Sequence, residues 1–355
     1  MKRPAAATVL EHPGSVQVGR RGDAAGATPG AWPAGEAGRR LVVGLLNNMP
    51  DGALQATERQ FTDLLREAGA ELEIEVRLFC LAEVERGEHA RAHMRGRYAD
   101  AESIPSAGLD GLIVTGNEPR AANLADEPYW PGLTRIIDWT EAEEVPTIWS
   151  CLAAHAAVLH LDGVRRRPLA AKCSGVFAFA PTTTHPLLAG APTPSFTPHS
   201  RLNELSEPDL AAAGYDILTR SSEAGVDSFV RRGGAPSLYF QGHPEYAADS
   251  LLREYLRDVS RFLRGERDAH PATPSGYFRA ASELALEDLA NRTRRRRHPN
   301  LIADYAEALD REAPAATWRP WAVRIYRNWL NLMLGGTVRL PSPPYPTSHA
   351  GSRFR

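Results

Sequence analysis

The sequence predicts an α/β protein with a doubly wound, mostly parallel sheet flanked by helices. Short apolar runs alternate with segments whose apolar residues recur at helical spacing, which is typical of parallel βαβ units. The runs at 41–47 and 111–116 are apolar nearly throughout, as expected for central strands buried on both faces. Hydrophobic residues form 43% of the 355-residue chain, which is enough for a large core.

The strand predictions rest on apolar runs or on alternation of apolar and polar residues. They fall at 41–47, 72–78, 111–116, 147–149, 175–179, 216–218, 228–230 and 236–241. Helical spacing predicts helices at 55–68, 130–144, 249–263 and 322–334, and another directly after Cys151. A loop is expected at 47–52, and helix with loop in the polar stretch 83–106.

The ends of the chain differ in composition from its centre. Residues 1–39 are rich in Ala, Gly, Pro and Arg without periodicity, which predicts a disordered extension, with order beginning at Arg40. The Pro- and Ser-rich tail 336–355 is expected to be flexible. The domain between them contains a charged insertion at about 279–312.

The loops that follow Asn47, Gly116 and Ser150 all leave the carboxyl ends of predicted strands. Ligands of doubly wound sheets bind at these ends, so the three loops are expected to share one crevice.

Cys151 is the first candidate for chemistry. Pro146 precedes the apolar run 147–149, and Ala- and Leu-rich sequence follows Cys151, so the cysteine falls at a strand-to-helix turn. The free N–H groups and positive dipole end of that helix would stabilise a thiolate or an oxyanion. A buried structural cysteine explains this stretch equally well.

His243 and Glu245 supply what a nucleophilic cysteine needs, namely a base and a group that orients the base. They follow a predicted strand, with Pro244 between them. Residues i and i+2 of an extended segment point the same way, so Glu245 is expected beside the His243 ring while that ring faces Cys151.

This Cys-His-Glu set, with its strand-terminal His-Pro-Glu, resembles class I glutamine amidotransferases. The wider pattern resembles the homoserine O-succinyltransferase (homoserine O-acyltransferase) family, in order and spacing over about 40–335 without the insertion. The matching motifs are Asn47-Asn48-Met49-Pro50, Thr57-Glu58-Arg59-Gln60-Phe61, Gly111-Leu112-Ile113-Val114-Thr115-Gly116, Tyr129-Trp130, Lys172-Cys173-Ser174-Gly175-Val176, Pro198-His199-Ser200-Arg201, Gly242-His243-Pro244-Glu245-Tyr246, Arg257-Asp258, Trp318-Arg319 and Asn328-Trp329-Leu330-Asn331.

The resemblance implies a class I glutamine amidotransferase-like (flavodoxin-like) fold. It also implies transfer of an acyl group from acyl-CoA to the hydroxyl of L-homoserine, in methionine biosynthesis. In that scheme Cys151 is the acyl-thioester nucleophile, His243 the general base and Glu245 its orienting partner. The backbone N–H of Leu152 would contribute to the oxyanion hole.

Lys172, Ser200 and Arg257 match family positions that contact substrate. Without the resemblance, Arg257 could equally be a surface partner of Glu254 or Asp258, and the other two could be ordinary loop residues. Arg257 could pair bidentately with an amino-acid carboxylate.

Two loops depart from the family pattern. The loop 51–56 lacks the usual basic character, which puts an acyl-CoA contact there in question. Arg120 falls at the position that separates succinyl from acetyl donors, where a cation favours succinyl-CoA. The change could equally mark another acceptor or donor.

Composition argues against several other functions. The 41 basic and 43 acidic residues nearly cancel, so neither nucleic acid nor a membrane is expected as a partner, and the run 294–297 fits a solvated face. The three cysteines, and the lack of any long apolar segment, fit a reduced cytoplasm. No metal-ligand spacing is present, so no metal and no cofactor is expected besides acyl-CoA as co-substrate; a homodimer follows only from the resemblance.

Two other functions remain open. One is a glutamine amidotransferase-like hydrolase, and the other is a non-catalytic ligand-binding homologue that kept the fold.

Overall fold

A computed structural model describes residues 40–309, 312 and 315–335, together with the backbone of one short strand before them. In chain order the described strands are β1 (Ser15–Val18), β2 (Arg40–Leu46), β3 (Glu73–Cys80), β4 (Tyr98–Asp100), β5 (Gly111–Val114), β6 (Thr147–Ser150), β7 (Arg167–Pro181), β8 (Ser195–Glu204), β9 (Tyr215–Ile217), β10 (Thr219–Ser221), β11 (Gly225–Val226), β12 (Ser228–Arg231) and β13 (Ser237–Phe240).

The helices surround these strands. They are α1 (Asp51–Ala68), α2 (Glu88–Met94), α3 (Trp130–Ala142), α4 (Leu152–Asp162), α5 (Glu207–Ala212), α6 (Ser250–Leu263), α7 (Ala280–Arg295), α8 (Ile302–Leu309) and α9 (Arg319–Met333). In this described part of the chain, none of them is long and apolar enough to cross a lipid bilayer.

The large sheet has the strand order β1-β3-β2-β5-β6-β13-β12-β9, and β4 also pairs with β3. The strands β3, β2, β5, β6 and β13 are mutually parallel. Numbered among themselves along the chain they run 2-1-3-4-5, which is the flavodoxin-like order. The predicted doubly wound, mostly parallel α/β sheet is therefore confirmed.

Each face of the large sheet is covered by a pair of helices. Phe61 of α1 and Trp329 of α9 pack with β2 residues such as Val43 on one face. Ile137 of α3 and Ala157 of α4 belong to the apolar cluster on the other face. Burial on both faces explains why the parallel strands are apolar nearly throughout.

A second, smaller antiparallel sheet has the order β11-β10-β7-β8 and lies in sequence between α4 and β13. The sequence predicted only the segment 175–179 of β7 and did not predict β8. In β8 the buried positions include Thr197, His199 and Arg201, so the strand lacks an apolar stripe. The pairing of Ser174 with Ser200 shows that this sheet carries two of the predicted substrate-binding segments.

Helix α1 begins at Asp51, so the predicted start at residue 55 is late and the end of the predicted loop 47–52 is wrong. Pro50 has a φ of −56°, which is compatible with a helix start. Its carbonyl accepts hydrogen bonds from Ala53 N (2.8 Å) and Leu54 N (3.0 Å). The polar Asp51-Gly52 pair concealed this first turn.

The predicted disordered extension contains strand β1, which pairs antiparallel with β3. The structure therefore differs from the prediction at 15–18. The unpaired backbone groups of an edge strand can order such a segment, and Val16 and Val18 alternate with polar residues as in a strand. The rest of 1–39 and the predicted tail 336–355 lie outside the described residues.

The charged insertion at 279–312 contains α7 and α8, which pack against α6. Their shared cluster includes Val259 and Phe262 of α6, Leu286 of α7 and Tyr305 of α8. Arg297, from the predicted solvated arginine run, lies 4.1 Å above the ring centre of Phe262.

Replacing Trp329 by Ala should lower the free energy of unfolding by about 3–5 kcal/mol, because its fully buried indole would leave a cavity between α9 and the sheet. Leu284→Ala is the control, since Leu284 is exposed on α7, and should change it by less than about 0.5 kcal/mol. Urea denaturation of both variants measures the difference, and similar values for the two would contradict this packing.

Candidate active site

Cys151 lies on a strained turn between β6 and α4. Its φ of 53° and ψ of −113° are rare for a residue with a side chain, and such strain costs on the order of 1–3 kcal/mol. The turn is held by Cys151 N, which donates to Phe240 O at 2.8 Å, and by Cys151 O, which accepts from Ala154 N at 3.0 Å. The half-buried thiol thus sits at the amino end of α4, as the sequence predicted.

Gly116 keeps the space beside the first N–H of α4 open. A Cβ at this position would lie 3.0 Å from Leu152 N and 2.8 Å from Leu152 Cβ. Because glycine has no side chain, the Leu152 N–H next to the thiol stays uncovered. This placement suits the predicted oxyanion role, which stays a prediction.

His243 and Glu245 leave the carboxyl end of β13, the strand next to β6. His243 Nδ1 donates to Glu245 Oε1 at 2.8 Å, which is the pairing expected from their i, i+2 spacing. His243 N donates to Pro198 O at 2.8 Å and so ties the turn to β8. Both side chains are buried.

The surroundings of His243 favour its charged form. Burial acts to lower its pKa, but the negative charges of Cys151 and Glu245, with hydrogen bonds to both, raise the pKa of His243 well above 6.5. A protonated His243 ring beside Cys151 is the state that this arrangement favours.

Behind the turn that carries His243 lies a buried polar network that the sequence analysis missed. Asp227 is fully buried, and its Oδ1 accepts from Gly242 N at 3.2 Å. The His199 Nε2 atom lies 3.2 Å from the same oxygen, and Arg201 Nε donates to His199 Nδ1 at 3.2 Å. The network fixes the backbone immediately before His243.

Tyr246 and Glu254 are also site residues whose roles were not predicted. The Tyr246 ring stacks on His243 with ring centres 4.2 Å apart. Its hydroxyl donates to Glu254 of α6, which also accepts from Ser200 Oγ. Glu254 on a charged helix looks like a surface residue in the sequence, so no pattern indicated its position.

The three predicted substrate-binding residues lie around the same carboxylates of α6. Lys172 Nζ lies 3.0 Å from Asp258 Oδ2 and 3.7 Å from Glu254 Oε2. Arg257 pairs with Asp258 Oδ1 at 3.1 Å, which agrees with the alternative that was left open for it. Burial acts to raise the pKa of Asp258, but the two cations lower it. Their substrate-binding roles remain predictions.

Arg120 stands apart from this cluster. Its guanidinium is 71% exposed and pairs with Glu85 at 2.8 Å. Among the described residues, this side chain therefore forms its ion pair outside the Cys-His-Glu set. Its backbone N donates to the buried carboxylate of Glu127 at 2.6 Å. The predicted role in acyl specificity is neither supported nor contradicted by these contacts.

The three predicted crevice loops do meet. Asn48 N donates to Thr115 Oγ1 at 2.9 Å, which joins the loops after β2 and β5. Gly116 packs on Leu152 after β6. The three loops are therefore neighbours at the carboxyl ends of the strands, as predicted, and a ligand crevice between them stays a prediction.

A flavodoxin-like sheet that presents a cysteine on a strained strand-to-helix turn, with a His–Glu pair on the adjacent strand, defines a class of α/β proteins with a cysteine-centred triad. Among solved structures, a glutamine amidotransferase from Methylobacillus flagellatus is similar at 17% identity and a TM-score of 0.47, covering 82% of this chain and 94% of that one.

Sequence comparison is more specific. The homoserine O-succinyltransferase family model matches residues 32–338. A homoserine O-succinyltransferase from Methylorubrum extorquens is 50% identical, covering 85% of this chain and 90% of that protein. One from Rhodopseudomonas palustris is 48% identical, covering 83% and 88%. The chain belongs to the homoserine O-succinyltransferase family, and the predicted membership is confirmed.

Replacing Glu245 by Gln should lower the pKa of His243 by about 1 pH unit or more, because a partner charge that favours imidazolium is lost. The titration of the His243 ring, followed by NMR, measures the change. The stabilising contribution of this charge pair is complete below pH 6.5 and is lost as pH rises through the raised pKa, so the variant should show a weaker loss of stability above pH 6.5.

Asp249→Asn is the control for this titration, since Asp249 is a half-exposed carboxylate paired with Arg253. An unchanged His243 midpoint in the Glu245 variant would show that the 2.8 Å contact does not hold the proton on the ring.

Proposed function

We propose that the protein transfers an acyl group, succinyl in preference to acetyl, from acyl-CoA to the hydroxyl of L-homoserine through an acyl-enzyme on Cys151. The observation that carries this proposal is the Cys151 turn beside the buried His243–Glu245 pair, in a chain whose relatives at 48–50% identity are named homoserine O-succinyltransferases. The product would be an O-acylhomoserine for methionine biosynthesis.

In the first step the Cys151 thiolate attacks the thioester carbonyl carbon of acyl-CoA. A new C–S bond forms, the bond to the CoA sulfur breaks, and the His243 imidazolium gives its proton to the leaving thiolate. In this scheme the Leu152 N–H would stabilise the oxyanion that develops on the carbonyl oxygen. Exchange of one thioester for another is close to neutral in free energy, so no further cofactor is needed.

In the second step neutral His243 takes the proton of the homoserine hydroxyl while its oxygen attacks the acyl carbon. An ester bond forms and the Cys151 thiolate is released, which restores the thiolate–imidazolium pair. Water would compete for the same carbon, so the site must hold the acceptor hydroxyl in line and exclude water.

The cluster on α6 suits a zwitterionic acceptor. Arg257 and Lys172 offer cations for its carboxylate, while Glu254 and Asp258 offer anions for its ammonium group. These groups already pair with one another, so an amino acid can exchange one set of charge pairs for another without leaving a buried charge alone.

Replacing Cys151 by Ala should abolish acyl transfer, because the acyl group then has no site of attachment. Intact-protein mass after mixing with succinyl-CoA or acetyl-CoA, without acceptor, measures the adduct. The wild type should gain the mass of one acyl group and lose it on addition of homoserine; the variant should gain none.

Cys173→Ala is the matched control, since this second half-buried thiol packs with Phe177 and Phe179 away from the triad. It should be acylated like the wild type. Turnover by the Cys151 variant at a substantial fraction of the wild-type rate would exclude the covalent scheme.

Replacing Arg257 by Ala should raise the KM for homoserine about 10- to 100-fold, because a charge-assisted contact to the carboxylate is lost. Arg253→Ala is a close control, since Arg253 lies one helical turn away and both side chains are 51% exposed. Steady-state kinetics measure the KM for homoserine in both variants. Equal increases would show that the homoserine carboxylate binds elsewhere.

A further inference from the structure

Arg166 is a half-buried cation close to the nucleophile but outside the triad and the α6 cluster. It lies between α4 and β7. Its Nη2 donates to Ala122 O at 3.1 Å and to Ala121 O at 3.4 Å, in the loop that follows β5. It also interacts electrostatically with Cys151, without a hydrogen bond to it among the described residues.

Arg166 interacts electrostatically with Glu127 but makes no direct ion pair with a carboxylate among the described residues. Lys172, Arg257 and Arg120 each have a carboxylate oxygen within 3.1 Å. Arg166 has none within 4.0 Å in the part of the chain that the structure describes. Glu127, the nearby acidic residue, instead accepts from the backbone N–H groups of residues 120 and 121.

A further polar group near Arg166 lacks a partner. The hydroxyl of Tyr129 is buried and has no hydrogen-bond partner among the described residues, although it interacts electrostatically with Arg166. Buried polar groups are normally satisfied, so this hydroxyl is free to donate a hydrogen bond to a ligand.

We infer that Arg166, with the Tyr129 hydroxyl, forms the subsite for the distal carboxylate of a dicarboxylic acyl group held on Cys151. This inference rests on the proposed acyl transfer and concerns only which donor is selected. Arg166 is held by the loop after β5, the same loop whose Gly116 packs on Leu152 beside the thiol. That placement fits an acyl chain whose far end carries the charge.

A purely structural role for Arg166 makes a different prediction. If Arg166 only held the Ala121 and Ala122 carbonyls in place, its loss would disturb transfer from every donor equally. Succinyl-CoA and butyryl-CoA separate the two roles, because they share CoA and chain length and differ in whether the acyl group ends in a carboxylate or a methyl group.

The test compares kcat/KM for these two donors at saturating homoserine, using the full chain. Arg166→Gln should lower the value for succinyl-CoA about 10- to 100-fold and leave that for butyryl-CoA nearly unchanged. Arg166→Lys keeps the positive charge, so it should retain more of the preference for succinyl-CoA over butyryl-CoA than Arg166→Gln does. Tyr129→Phe should lower kcat/KM for succinyl-CoA about 5-fold and leave the value for butyryl-CoA unchanged.

Arg165→Gln is the matched control, since Arg165 is the exposed neighbouring arginine and should alter neither donor. In the Arg166→Gln variant, an equal decrease of kcat/KM for both donors, or a decrease for neither, would overturn the inference. A wild type that prefers butyryl-CoA would overturn it while leaving acyl transfer intact. A wild type that transfers no acyl group from any acyl-CoA to homoserine would instead overturn the proposed function itself.

Discussion

The parallel pairing of β6 with β13 is the constraint on which the site depends. Ser150 lies opposite Phe240, so the two strands end at the same level and release the thiol and the imidazole side by side. The bond from Cys151 N to Phe240 O continues the ladder past the last paired residue and holds the backbone at a positive φ. A slip of one residue would turn these side chains to opposite faces of the sheet.

Around that pair the protein uses buried charge to fix geometry. Asp227 is fully enclosed, which is costly unless its carboxylate is satisfied. Asp227 accepts hydrogen bonds from the backbone N of Gly242 and from the hydroxyl of Thr197. These bonds are buried, so water does not compete for them and the turn before His243 is held in place. On the other side of His243 the Tyr246 ring limits its rotation. The base is therefore oriented by polar contacts behind it and by stacking beside it.

Sequence periodicity predicted the parallel strands, because burial on both faces leaves a continuous apolar signal. The i, i+2 rule predicted the His243–Glu245 contact, since it depends only on extended backbone. Strand β8 could not be predicted in the same way, because its inward side chains are polar. Nor could Glu254, whose position on a charged helix becomes meaningful only when the small sheet brings Ser200 against it. Strand β1 has strand-like alternation over only four residues, too short to stand out in a segment rich in Ala, Gly and Pro, and it depends on pairing with the edge of β3.

Helix α6 connects the insertion to the region around His243. Val259 and Phe262 pack under α7 and α8, and Glu254 and Asp258 of the same helix lie beside Lys172 and Ser200. Glu254 also accepts from the Tyr246 hydroxyl, and the Tyr246 ring stacks on His243. A change in the packing of α7 and α8 would therefore be transmitted through α6 and Glu254 to the ring that flanks His243, so this insertion offers protein engineering a remote means of altering the surroundings of that imidazole.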